Sequence, residues 1–213
     1  MKVIINALTC LVALGLPSFA QQAPAAQPRP DSDMAEMHHA HQGGLSISYA
    51  DLKDTVTRLE RARQATQKYH DVRVAEADGY RQIGPDVPGM GVHFVLATQQ
   101  DHFDVEKPPI LLYEKDPSRA GGYSLVGVSY LLAAPEGPDG QPLTSPFPKA
   151  LAVWHRHKDI CVLPDRTTPT GLTEDRCHQL GGRFTTETQW MVHAWIWKDS
   201  PLGVFSPTNP AVL

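Results

Sequence analysis

Two histidines one residue apart, His155 and His157, stand in the run "ALAVWHRHKDIC" at residues 150–161. Read as a strand, this run puts both imidazoles on one face with Leu151 and Val153, and turns Ala152, Trp154 and Arg156 to the other. Residues two apart on a strand project side by side, close enough to chelate one ion. Three more polar groups sit in similarly apolar runs. His93 lies in "MGVHFVLA" on the face of Val95 and Ala97. His193 lies in "QWMVHAWIW" on the face of Met191, Trp195 and Trp197. Glu114 closes "PPILLYE" on the face of Ile110 and Leu112.

An imidazole or carboxylate inside an apolar strand is costly unless something satisfies it. One divalent cation would satisfy several of these groups together. Neutral imidazoles with a carboxylate suit Zn(II) and Cu(II) first, with Fe(II) and Ni(II) accepting the same donors. The expected metal-ligand set is therefore His93, Glu114, His155, His157 and His193. The plainer reading is that each histidine is a separately hydrogen-bonded residue, or that one of the pair at 155 and 157 supports the other without touching a metal.

A second group of soft donors lies upstream, where "DMAEMHHAHQ" gathers Met34, Met37, His38, His39 and His41. Thioether with imidazole favours copper, so this reads as an auxiliary capture segment; the alternative is a solvated linker that carries histidines. Cys161 and Cys177 enclose "VLPDRTTPTGLTEDR". In an oxidising compartment they are expected to form a disulfide, with thiolate ligation beside His178 as the alternative. There is no G-x-S-x-G elbow and no Gly-rich phosphate loop opening a helix, which argues against a serine hydrolase and a nucleotide-binding fold.

The elements that would position these groups follow from composition. "MKVIINALTCLVALGLPSFA" at residues 1–20 has a basic start, an apolar middle and small residues before Gln21, and reads as a signal peptide cut after Ala20. Its removal would take Cys10 away and move the formal charge from −4 to −5, because Lys2 is its single charge. Residues 21–44 are rich in Pro, Ala and Gln and read as a disordered arm, leaving residues 45–213 as one domain. The basic residues are scattered, so neither nucleic acid nor an anionic membrane is an expected partner, and no membrane span is expected.

Ser48 and Asp51 form a capping pair, and Leu52, Val56, Leu59, Ala62, Tyr69 and Val72 recur at threes and fours. One long helix is expected, ending near Asp78 at Gly79, with a kink or break allowed by its length. Beyond it, "MGVHFVLA", "PPILLYE", "YSLVGVSYLLA", "KALAVWHRH" and "QWMVHAWIW" alternate with Pro- and Gly-rich turns. The expected class is α+β: one long N-terminal helix packed on a largely antiparallel sheet of about five strands. The tail "DSPLGVFSPTNPAVL" is expected to be irregular and laid over the surface.

The segments "EADGY", "GMGVHF", "LLYE", "LVGVSYL", "WHRHKDIC", "WMVHAWIW" and "SPLGVFSPTNP" resemble those of a widespread group of exported bacterial proteins, over about Tyr69 to Pro210. That resemblance implies a domain extent and no mechanism. The H-x-H tripeptide with His193 is similar to the metal ligands of cupin barrels, although "HRHKDIC" offers Asp159 where a cupin has Glu.

Three functions are compatible with these residues. The leading one is a periplasmic or secreted transition-metal-binding protein for sequestration, sensing or delivery. The second is a metal-dependent enzyme of hydrolase or oxygenase type acting on a small-molecule substrate, with Glu114 as general base. The third is a metal-free protein whose histidines and tryptophans line a site for a small ligand or a partner protein.

Overall fold

The structure is a computed structural model that describes residues 46–96 and 102–213. The expected signal peptide and the residues Met34, Met37, His38, His39 and His41 lie outside the described residues, as does Ala97. Residues 45–213 form one compact unit.

The first helix, α1 (Tyr49–Thr66), begins as its capping pair requires: the Ser48 hydroxyl accepts from the Asp51 amide at 3.0 Å and donates to the Asp51 carboxylate at 2.7 Å. A 3₁₀ turn (Gln67–His70) follows, then α2 (Val72–Ala77), capped anew by the Asp71 side chain. The expected single long helix is thus broken at Asp71, and Gly79 ends the segment with φ +99°. The buried face also differs from the expected stripe. Thr55, Ala62, Thr66, Tyr69 and Val72 are buried, but Leu52 and Val56 are 42% and 59% exposed, because the first turns of α1 bury the face of Thr55 instead.

The main sheet has five antiparallel strands in the order β1 (Tyr80–Val87), β2 (Gly91–Leu96), β3 (Ile110–Lys115), β4 (Tyr123–Leu132) and β7 (Trp190–Ala194). A separate two-stranded ribbon pairs β5 (Lys158–Val162) with β6 (Arg183–Glu187), and the short helix α3 (Glu174–Gln179) packs beside it. The expected α+β class is the observed one.

Two of the strands differ from expectation. β1 runs into "PDVPG" at residues 85–89, whose Pro and Gly read as a turn; it is the edge strand and shifts register between Ile83 and Val87, the setting in which a ladder tolerates Pro. "KALAVWHRH" is not a strand. It touches the sheet through one bridge, His155 with Met191, and regular pairing begins only at Lys158. The alternation survives without the strand, since Ala152 and Trp154 are buried while Val153 is exposed.

The sheet buries a different core on each face. Phe94, Leu111, Tyr113, Val128, Tyr130 and Val192 pack toward the helices, with the Tyr113 and Tyr130 hydroxyls donating to the carbonyls of Tyr69 and Val105 at 2.7 and 2.8 Å. Ile110, Leu112, Val126, Met191 and Trp195 form the second cluster, which Val212 of the tail covers. That tail is irregular, as its prolines imply, and Asn209 pins it from within. The Asn209 amide donates to Gly89 at 2.7 Å and its side chain to the carbonyls of Lys198 and Asp199 at 3.0 and 3.3 Å.

Candidate functional site

The register places His93 and His193 on this second face. His93 pairs with Leu112, whose neighbour on the same face, Ile110, pairs with Ser129, which pairs with His193. The two histidines stand on β2 and β7, with β3 and β4 between them. Their ring centroids are nevertheless 5.6 Å apart, closer than side chains on a flat sheet could reach, so the sheet curls toward this face.

The H-x-H segment enters from the side. His155 and Met191 exchange backbone hydrogen bonds of 2.9 and 2.7 Å, which sets the His155 ring 5.1 Å from that of His193. His157 is tied the same way by Thr188: the His157 amide donates to the Thr188 hydroxyl at 3.0 Å and its carbonyl accepts from the Thr188 amide at 2.9 Å. The rings of His155 and His157 are 5.2 Å apart. Four of the seven described histidines, contributed by β2, β7 and the segment before β5, therefore meet in one cluster.

The proximity and burial depress the basicity of all four rings. Burial, followed by the neighbouring imidazoles of His157 and His155, lowers the pKa of His93 from 6.5 to about 4. Burial and then His93, His155 and His157 lower that of His193 to about 3. Burial also depresses His155, which feels His157 in addition, and it depresses His157. A charge on any ring opposes a charge on the others, so the cluster is neutral at pH 7 and presents lone pairs instead of cations.

His193 has no exposed surface, and its Nδ1 lies 2.7 Å from the Pro207 carbonyl oxygen. A carbonyl only accepts, so Nδ1 carries the proton and Nε2 the lone pair. That Nε2, and Nδ1 of His155, are buried without a hydrogen-bond partner among the described residues. Orphaned imidazole nitrogens on facing rings are what a cation would satisfy. Two imidazoles on one tetrahedral metal, with metal–nitrogen bonds of about 2.0–2.1 Å, have centroids about 5 Å apart. The ring spacings here are already close to that. The ring contacts are tilted or edge-to-face, at 56° to 87°, and no three His, Cys, Asp or Glu side chains among the described residues already converge to hold a metal ion.

Glu114 is not brought into the cluster. It lies on the same sheet face, but Lys198 holds its carboxylate at 2.6 Å, and it is absent from the charges that perturb the four imidazoles. Trp195 adjoins His193, with centroids 5.5 Å apart. Trp197 instead turns to the helix side, where it packs on His70 and under the guanidinium of Arg63, contrary to the shared face expected for both tryptophans. Arg156 points away from the imidazoles, over the Trp190 ring at 4.1 Å and into ion pairs with Glu187 and Glu136.

Cys161 and Cys177 form the expected disulfide, which excludes them as thiolate ligands beside His178. A Cβ on Gly182 would lie 2.8 and 2.9 Å from the two sulfur atoms, so the bridge requires a glycine there. The bridge ties the ribbon to α3 four residues after His157 and steadies the exit of the H-x-H segment.

Two contributors escaped the sequence reading. Ser129, fully buried opposite His193, belongs to an apolar run in which a serine carries no signal of its own. Pro207 acts through its carbonyl, which no side-chain pattern reveals. Compared with known proteins, the chain matches no family model, no curated protein and no solved structure.

Proposed function

We propose that this chain binds a transition metal through His93, His155, His157 and His193, as an exported protein that sequesters, senses or delivers the ion. The observation that carries this reading is the meeting of four neutral imidazoles on one apolar sheet face, with buried nitrogens of His155 and His193 lacking a hydrogen-bond partner among the described residues. An all-imidazole donor set, with the cysteines oxidised and Glu114 engaged by Lys198, suits Zn(II) and Cu(II), and Fe(II) or Ni(II) less selectively. Export is supported by the disulfide and by the leader-like residues 1–20. Among the described residues no helix is long and apolar enough to cross a membrane.

The enzymatic alternative has less support, because Lys198 engages Glu114 and no contact joins Glu114 to the imidazoles among the described residues. Calorimetric titration of purified, chelator-treated protein with Zn(II) and Cu(II) tests the proposal, alongside a variant with His93, His155 and His193 all replaced by Ala. One tight site in the wild type and none in the variant is the expected result. Equal binding by both proteins would place the metal elsewhere, and no binding by the wild type would overturn the reading.

A further inference from the structure

Ser129 is a third polar group on the imidazole face without a hydrogen-bond partner among the described residues. Its residue is fully buried and its Oγ has no hydrogen bond. It is the cross-strand partner of His193 on one side and of Ile110 on the other, so its side chain shares the face of His193 and projects among Ile110, Leu131 and Met191. Directly opposed residues on neighbouring strands have Cβ atoms about 5 Å apart, which brings the hydroxyl within reach of whatever His193 Nε2 binds. Nothing local explains a serine here. The centre of a strand favours β-branched and aromatic residues, the run "LVGVSYLL" is otherwise apolar apart from the Tyr130 hydroxyl, and a buried hydroxyl without a partner is a net cost.

A neutral hydroxyl is a poor competitor for imidazole as a ligand of Zn(II) or Cu(II), but it donates and accepts hydrogen bonds well. We propose that Ser129 hydrogen-bonds a small exogenous ligand, water or a small anion, held at a fifth coordination position of the metal bound by the four imidazoles of the histidine cluster. This rests on the metal-binding reading and deepens it: the site is open to a second ligand instead of closed by protein. Ser129 positions that ligand and does not touch the metal.

Azide binding to Co(II)-loaded protein, followed by visible absorption, tests this in wild type, Ser129→Thr and Ser129→Val. Thr and Val have nearly the same shape, so they differ chiefly in the hydroxyl. Both variants are expected to bind Co(II) within about threefold of wild type, and the Val variant to bind azide about tenfold more weakly than the Thr variant. Should the added methyl prevent folding, Ser129→Ala against wild type gives the same comparison, with Ala expected to be about tenfold weaker for azide. Equal azide affinity with and without the hydroxyl overturns the inference, as does a wild-type cobalt site that takes no azide. Loss of Co(II) from the Val or Ala variant alone would make Ser129 a ligand and overturn it as stated. A wild type that binds no Co(II) removes the metal-binding reading, and this inference with it.

Discussion

The ring of His193 and the carbonyl of Pro207 are joined by a hydrogen bond of 2.7 Å, so an irregular tail fixes the tautomer of the most deeply buried imidazole. Asn209, fully buried two residues on, holds that tail through the carbonyls of Lys198 and Asp199. Asn209→Ala should therefore act twice. Losing the two hydrogen bonds from the buried Asn209 side chain to the carbonyls of Lys198 and Asp199 should cost about 1–3 kcal/mol of unfolding free energy. Loosening the partner of His193 should weaken metal binding by about 10- to 100-fold. Urea unfolding and metal titration of the same variant check both; a destabilised variant with unchanged affinity would mean that Pro207 does not orient the ligand.

Stability of the metal-free protein should fall with acid. The folded pKa values of His93 and His193, about 4 and about 3, lie below the value of 6.5 expected when unfolded. Between those limits the unfolded chain binds more protons than the native one, so unfolding becomes easier as pH decreases. The contribution is complete above 6.5 and is lost as pH falls through the folded values. Urea midpoints should drop from pH 7 toward pH 4, and less steeply in a His93→Gln, His193→Gln double variant. Identical slopes would show that these rings charge without leaving the fold.

Neighbouring residues in the H-x-H segment should separate cleanly. His155→Ala removes a proposed ligand and should lower metal affinity by more than 100-fold, beyond what a supporting residue does. Arg156→Ala removes contacts to Trp190, Glu187 and Glu136, for about 1 kcal/mol of stability, and should leave affinity within a few-fold. Equal affinity losses at 155 and 156 would show that the segment does not present its imidazoles to one side.

The disulfide should be complete and worth about 3 kcal/mol, the scale for closing a loop of this length. Thiol titration of unfolded, unreduced protein with residues 1–20 removed should find no free thiol. Reduction should lower the unfolding free energy by about that amount, and Gly182→Ala should make the bridge harder to form because of its 2.8 and 2.9 Å approach to the sulfur atoms. Two reactive thiols without reductant would overturn the pairing.

Much of this architecture is legible in the residues. The strands at His93, Glu114 and His193 announce themselves by apolar runs between turns, and Gly79 stops the helical segment where its position implies. β1 is hidden because its end overlaps "PDVPG" at residues 85–89, whose Pro and Gly signal a turn except on an edge strand. The segment at His155 looked like a strand because its side chains alternate, although it makes a single bridge. Alternation reports which side chains face the protein, not whether the backbone is paired. Glu114 was the costliest ambiguity. Its position on the correct face says nothing of Lys198, 84 residues away, which binds it.

The bridge between His155 and Met191 also bears on how the sheet avoids self-association. A sheet has two open edges, each able to template a strand from another molecule. At one edge, β1 is spoiled by Pro85 and a shifted register. At the other, the backbone donor and acceptor of Met191 are already taken by His155. The segment that offers its imidazoles to the sheet face thus caps the sheet with its backbone, so that holding a ligand and shielding an edge fall to the same few residues.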